Sequence, residues 1–427
     1  MFTKKTISIV ALSLAAIVGR ATAESETKPD QQVRIVTEQL IKANYINMAH
    51  AAYTDSLITA KTLQQSVQAL LANPTNENLN NAKAAYKLAR IPYQQSEIMR
   101  WDTDITIGAG LESSGGVASV DEWEGQVNAW PLDEQAIDYV EGNDSSGIIN
   151  KKNGKAITTQ YLIDQNGVGG EANVTTGYHA IEFLLWGQDL NGTKAGAGER
   201  NVNDFQTDAS DLCSASNCDR RREYLSVVTQ LLVDDLETMA NEWSAQAVST
   251  QGTLANNFIL SEDGIRYILF SMKAMATDEL ASARMNEGLE GRDPEQEHDC
   301  FSDLSHVAIY YNLQGIRNAF YGHYYKVDGS IISGDSVSDL IKQKSPSLYQ
   351  QFDSAFNNIE KNMKVVFDAG EQDMPIRFDQ IIGQNDNGIE RQAAYAAVYQ
   401  LTDLNSAFTS VEELLSIHAL SLDAVGD

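Results

Sequence analysis

Apolar residues recur along most of this chain at intervals of three and four rather than two, the spacing of one helix face. Val33, Val36, Leu40 and Ile41, then Leu63, Val67, Leu70 and Leu71, trace such a face through residues 31–72. Asn73-Pro74 interrupts it, and Pro74 suits the first turn of a second helix. That helix is carried by Leu79, Ala82, Tyr86 and Ala89 toward Glu97 and Arg100, with Pro92 inside it predicting a kink. Leu225, Val228, Leu232 and Leu236 mark a helix from Arg220 to Trp243, and Ile265, Ile268, Leu269, Met272 and Met275 mark another over 262–286. Further helices are expected over 307–325, from Ser345-Pro346 to about Phe367, and over 388–419. No alternating stretch long enough to predict a useful strand is present. Residues 102–130, 142–174 and 187–218 are polar or glycine-rich and read as long loops. The pattern predicts an all-α protein of two helical-bundle domains, 31–250 and 251–427, parted near Ser249-Thr250-Gln251-Gly252, with a site at their interface.

Composition adds a compartment. Lys4 and Lys5 precede an apolar run from Ile7 to Val18 and then Ala21-Thr22-Ala23, so residues 1–23 read as a secretory signal peptide. The run is too short to span a membrane, and no later stretch is long enough. With no cysteine after the cleavage site, a lipoprotein anchor is not expected. The expected location is outside the cytoplasm, periplasmic or associated with the cell envelope of a Gram-negative bacterium. Thirty-one basic against 59 acidic residues leave a formal charge of −28. Such a surface repels nucleic acid and anionic membranes and attracts cations, although charge of this kind also simply keeps an exported protein soluble. Cys213 and Cys218 are close enough in sequence to close a small disulfide ring in an oxidising compartment. Cys300 is left as a buried thiol or a soft ligand beside His298.

One stretch, Thr175 to Gly187, organises the candidate chemistry. Thr175 or Thr176 can cap a helix that Gly187 can end, and nearly every residue between them is apolar. The exceptions, His179 and Glu182, fall one turn apart on the same face. A buried carboxylate needs a partner or a metal. The pair is therefore either a self-satisfied ion pair in a core or half of a metal site. Neither H-E-x-x-H nor H-x-x-E-H occurs, so the spacing departs from known zinc-peptidase signatures. Downstream, Glu295 to His306 would, if helical, set His298, Ser302 and His306 on one face, with Asp303 one turn before His306. That is either a second half-site or a solvated loop leading into a cap.

Gly177-Tyr178-His179-Ala180-Ile181-Glu182 resembles the G-x-H-x-x-E motif of the imelysin-like family. Asn128-Ala129-Trp130-Pro131-Leu132-Asp133-Glu134 and Glu297-His298-Asp299-Cys300-Phe301-Ser302-Asp303 resemble motifs of its iron-regulated protein A branch. The resemblance runs from about residue 35 to about 420. It implies a metal site in which His179 and Glu182 are joined by Glu97, with Arg100, Asp133, His298, Ser302, Asp303 and His306 as neighbours. Without the resemblance, Glu97 and Arg100 read as a surface i, i+3 pair, and Asp133 and Glu134 as acids in the first turn of a helix begun by Pro131.

Three functions follow. The first is an exported metal-binding protein serving iron uptake, its ion divalent or ferric: iron, with zinc or calcium as alternatives. Its partners would be the ion and an iron-uptake or cell-envelope protein. The second is a metallopeptidase, which needs three ligands, an open water position and a general base, none of them complete here. The third is a helical bundle that binds a protein partner and uses its polar pair only structurally. Serine catalysis has no support, since no G-x-S-x-G elbow occurs.

Overall fold

The computed structural model describes residues 35–99, 118–151, 154–207 and 212–417. Residues 1–34, Arg100 and the 102–117 stretch of the first expected loop lie outside these. Among the described residues, nine longer helices carry the fold: α1 (Glu38–Ala72), α2 (Asn76–Ser96), α3 (Ala118–Val127), α4 (Gly177–Trp186), α5 (Cys218–Glu242), α6 (Gly264–Ala274), α7 (Ser305–Tyr321), α8 (Pro346–Glu371) and α9 (Ile389–Leu415).

The side chain of Thr37 caps α1 by accepting from the Leu40 N–H. Thr75 does the same for α2 through Asn78, which is why α2 starts at Asn76 while Pro74 stays in the turn. α1 lies along α2 and α5, and α4 fills the space beside α5 and α2, making one bundle. α7, α8, α9 and the segment Met275–Asn286 make a second. α2 packs on α7 and joins them. Gly315 permits that crossing: a Cβ there would sit 2.6 Å from the Gln95 carbonyl oxygen. From Val36 onward the chain is one compact unit, with an apolar core continuous from Ile41 to Val411.

Three local departures from the sequence pattern have physical causes. The helix read over 262–286 is α-helical only to Ala274 and is a π-helix over Met275–Asn286, a widening that apolar spacing does not distinguish. The helix read to residue 325 stops at Tyr321, where Gly322 takes a left-handed φ of 70°. His323–Tyr325 then pairs antiparallel with Ile331–Ser333, strands too short to show alternation. Within the first expected loop, residues 118–127 form α3.

Candidate metal centre

Every residue of α4 is buried, as its composition requires. Its first residue, Gly177, has φ +77°, and a Cβ there would lie 2.2 Å from the Val127 carbonyl oxygen, so only glycine fits. Thr176 occupies the N-cap position without capping through its side chain, whereas the Thr175 hydroxyl bonds to the Leu162 carbonyl. Gly187 ends the helix at positive φ but with extended ψ.

His179 and Glu182 are 1 % and 0 % exposed. Nδ1 of His179 lies 2.9 Å from Oε2 of Glu182, and Nε2 is buried with no hydrogen-bond partner. Glu182 is well supplied with donors. Oε2 also accepts from the Tyr86 hydroxyl at 3.3 Å, and Oε1 accepts from the Ser302 N–H at 3.0 Å and its hydroxyl at 2.6 Å. These donors favour the carboxylate form, while burial, and then the charge of Asp299, push its pKa up. Burial and then Arg90 hold the His179 imidazole neutral, its pKa pushed down to about 3.

The ligand atoms of His179, Glu182 and Asp299 all lie within 4.8 Å of one another, a spacing that suits a bound metal ion. Asp299 is gripped by Arg90 of α2, Nε to Oδ1 at 2.9 Å and Nη2 to Oδ2 at 3.2 Å. His298 turns its ring edge-on to His179, centroids 4.7 Å apart, and its Nδ1 meets Asp299 Oδ2 at 2.8 Å. Trp130 packs against His298 and donates to the Glu297 carbonyl. The site therefore lies where the bundles meet: α2 and α4 come from one, and the 297–304 turns lead into α7 of the other. It is buried rather than an open cleft.

Of the residues expected here, His179, Glu182, His298 and Ser302 come together. Glu97 is engaged elsewhere: Arg284 of the π-helix grips it at 2.6 and 2.9 Å, and Asn312 and Asn128 donate to it. Glu97 and Arg284 are 1 % exposed each, so they form a buried ion pair rather than a surface one. Residues 297–304 are not helical, so His298, Ser302 and His306 do not share a helix face. His306 instead bonds to Glu371 at 2.8 Å, Arg377 at 3.0 Å and the Asp303 carbonyl. Asp133 caps a short 3-10 helix over Glu134–Ala136 through the Gln135 N–H, and Glu134 accepts from Gln188. Asp303 belongs to a separate acidic group. Cys213 and Cys218 are disulfide-bonded, their Cα atoms 6.0 Å apart, and Cys300 is a half-buried free thiol.

The sequence reading passed over Asp299 and Asn128, although both stand inside the quoted motifs. Arg90 carried a weaker signal, a cation four residues after Tyr86 on an otherwise apolar face. Arg284 carried none, because it enters through the π-helix.

Fold and site together define an all-α protein of two bundles with a buried histidine–carboxylate centre between them. The chain belongs to the imelysin family: the family model for imelysin (peptidase M75) matches residues 49–405. It is similar to the iron-regulated protein A of Synechococcus elongatus, 21 % identical over 336 residues, 76 % of this chain and 75 % of that one. A solved structure described as an iron-regulated protein A precursor, from Parabacteroides distasonis, matches with TM-score 0.61 at 18 % identity, over 90 % of this chain and 97 % of that one. An imelysin-like protein from Psychrobacter arcticum matches with TM-score 0.47 at 12 % identity, over 90 % and 96 %. The first of these structures shares the all-α fold. Among the described residues, no helix is long and apolar enough to cross a membrane.

Proposed function

We propose that this chain is an exported metal-binding protein centred on His179 and serving iron acquisition or homeostasis. The observation that carries the reading is the His179 ring, with Nδ1 held by Glu182 while Nε2 is buried and unpaired. Histidine ligands commonly have their second nitrogen fixed by a carboxylate, which sets the tautomer and the ring orientation. In this reading Glu182 orients the ring, and His179 and Asp299 supply ligand atoms. The ion would also favour the ionised Glu182, offsetting what burial costs it. Arg90 competes for Asp299, which tempers the affinity. A mixed nitrogen and oxygen donor set suits iron, manganese or zinc better than soft ions. The link to iron draws on the description of the Synechococcus relative as iron-regulated. Export draws on residues 1–23 and on the description of the Parabacteroides protein as a precursor.

Burial weighs against the peptidase reading, because hydrolysis needs a coordination position that a polypeptide can reach. The reading is tested by metal analysis of protein purified without a nickel column, followed by anaerobic Fe(II) titration of wild type and His179→Ala. Binding in wild type that is lost in the variant is expected. A wild type that neither carries nor takes up metal overturns it.

A further inference from the structure

The turns that bring His298, Asp299 and Ser302 to His179 also place Glu297 and Asp303 beside Asp379, in the first turn of the short helix Phe378–Gly383. One carboxylate oxygen from each lies within 4.8 Å of the other two. The three residues are 1 %, 3 % and 0 % exposed. Their oxygens are what sets them apart. Glu297 Oε2, Asp303 Oδ1 and both carboxylate oxygens of Asp379 are buried without a hydrogen-bond partner. The neighbouring buried acids differ: Glu182 has three donors from Tyr86 and Ser302, Asp299 has Arg90, and Glu97 has Arg284.

Charge does not balance at this trio. The cation whose charge reaches Asp303 and Asp379 is Arg377, and its Nη1 is turned to His306 at 3.0 Å, with Glu371 at 3.7 Å. Asp189 adds a further negative charge on Asp303 and Asp379. The Ser305 hydroxyl beside Glu297 and the N–H groups of Asp379 and Gln380 offset this only in part. A dry, unpaired cluster of this sign holds either protons or a cation.

We propose that Glu297, Asp303 and Asp379 form a second cation site, all-oxygen in character, that takes a hard divalent ion of the calcium or magnesium type. Without nitrogen or sulfur donors, the site favours hard ions over zinc or copper. Size agrees. Ligands on one ion are at most two metal–oxygen bonds apart, roughly 4.8 Å for calcium and roughly 4.2 Å for magnesium. Three mutually equidistant oxygens on one ion stand roughly 4.2 Å apart for calcium and roughly 3.6 Å for magnesium, so calcium needs the smaller drawing-in of any oxygens at the upper end of the range. The ion would tie the 297–304 turns to the helix that follows α8, and so hold His298, Asp299 and Ser302 in place beside His179. The site stands on its own geometry and does not require metal at His179.

The test is thermal unfolding of the EDTA-treated, full mature chain with Ca2+, Mg2+ or Zn2+, in wild type, Asp379→Asn and His179→Ala. Asp379→Asn keeps shape while removing the charge, and Glu297→Gln serves in its place if it does not fold. Calcium or magnesium should raise Tm in wild type and His179→Ala alike, by roughly 3–6 °C at a hundredfold excess over Kd. The Asp379→Asn protein should not respond, and zinc should act less strongly than calcium on His179→Ala. An unresponsive wild type overturns the site. So does an Asp379→Asn protein that responds like wild type. Loss of the calcium response in His179→Ala also overturns it, since the response then belongs to the first centre.

Discussion

Nδ1 of His179 and Oε2 of Glu182 stand 2.9 Å apart on one buried turn of α4, and the other imidazole nitrogen meets no partner. Burial drives both groups toward their neutral forms, His179 by lowering its pKa and Glu182 by raising it. A pair shifted in these directions is a hydrogen bond between neutral groups unless a further cation arrives. The contact therefore differs from the buried ion pairs nearby, such as Arg90–Asp299, where the cation is always charged.

Glu182→Gln separates orientation from charge. The amide oxygen can still accept from Ser302, and the amide nitrogen can donate to Nδ1 of His179. The metal-free variant should stay folded, within about 1 kcal/mol of wild type in urea unfolding, because no buried charge is stranded. A mutually dependent ion pair would instead cost about 3–5 kcal/mol. The Fe(II) response of Tm should be lost. A strongly destabilised variant in which neither protein responds to metal would falsify the orienting role.

Glu97 and Arg284 make the opposite case. Their carboxylate–guanidinium pair is dry and bidentate, with Glu279, Asn312 and Gln94 completing the donors and acceptors. Arg284→Met should cost about 3–5 kcal/mol, because it leaves Glu97 charged and unpaired. Adding Glu97→Leu should recover part of that loss. The double-mutant cycle in urea measures the coupling, and simple additivity would show that the two side chains act independently. Glu97→Gln should leave metal binding at His179 unchanged, since both Glu97 oxygens are held by Arg284.

The bundles were legible because their information is local. A proline at the first position of α8 and apolar spacing of three and four each act within a turn or two. His179 and Glu182 were legible for the same reason, as two polar residues on an apolar helix. What completes the site is not local. Arg90 comes from α2, Asp299 from turns before α7, and Asp379 from a helix beyond α8, so no spacing in the sequence relates them. A helical reading of residues 295–306 would group His306 with His298, whereas turns with Asp303 at φ +55° carry these side chains to different neighbours.

Cys213 and Cys218 should resist alkylation in the unreduced protein, and Cys300 should take one equivalent after unfolding. Intact mass before and after reduction reads this directly. Two alkylated thiols without reduction, beyond Cys300, would exclude the bond. Closing so short a ring is worth roughly 2 kcal/mol in the chain-entropy model. Reduction should therefore lower Tm by a few degrees without abolishing folding.

Without divalent cations, stability should fall as pH rises from about 6.5 to about 8, and the acids around Asp379 set the sign. Burial is the main cause of each shift. Asp379 and Asp303 add to it for Glu297, and Asp189 adds to it for Asp303 and Asp379, with Arg377 opposing. Asp303 is pushed up to about 8 and Asp379 to about 7, against an unfolded value near 3.8. Below the unfolded value both states are protonated and folding carries no penalty. Above it the unfolded chain ionises first, so the native state holds more protons and loses stability until the folded pKa is passed. Two other kinds of group act below this window. Glu371, drawn down to about 2 mainly by its bond to His306, loses its contribution only as pH drops below the ordinary carboxylate range. His179 penalises the fold only below the ordinary imidazole value near 6.5. The metal-free protein should thus be more stable at about pH 6.5 than at about pH 8. Urea midpoints in EDTA at those two pH values check this: wild type should be weaker at the higher pH, Asp379→Asn should narrow the gap, and saturating calcium at the higher pH should close it in wild type alone. A midpoint that rises with pH in EDTA would mean the three acids are ionised and already paired.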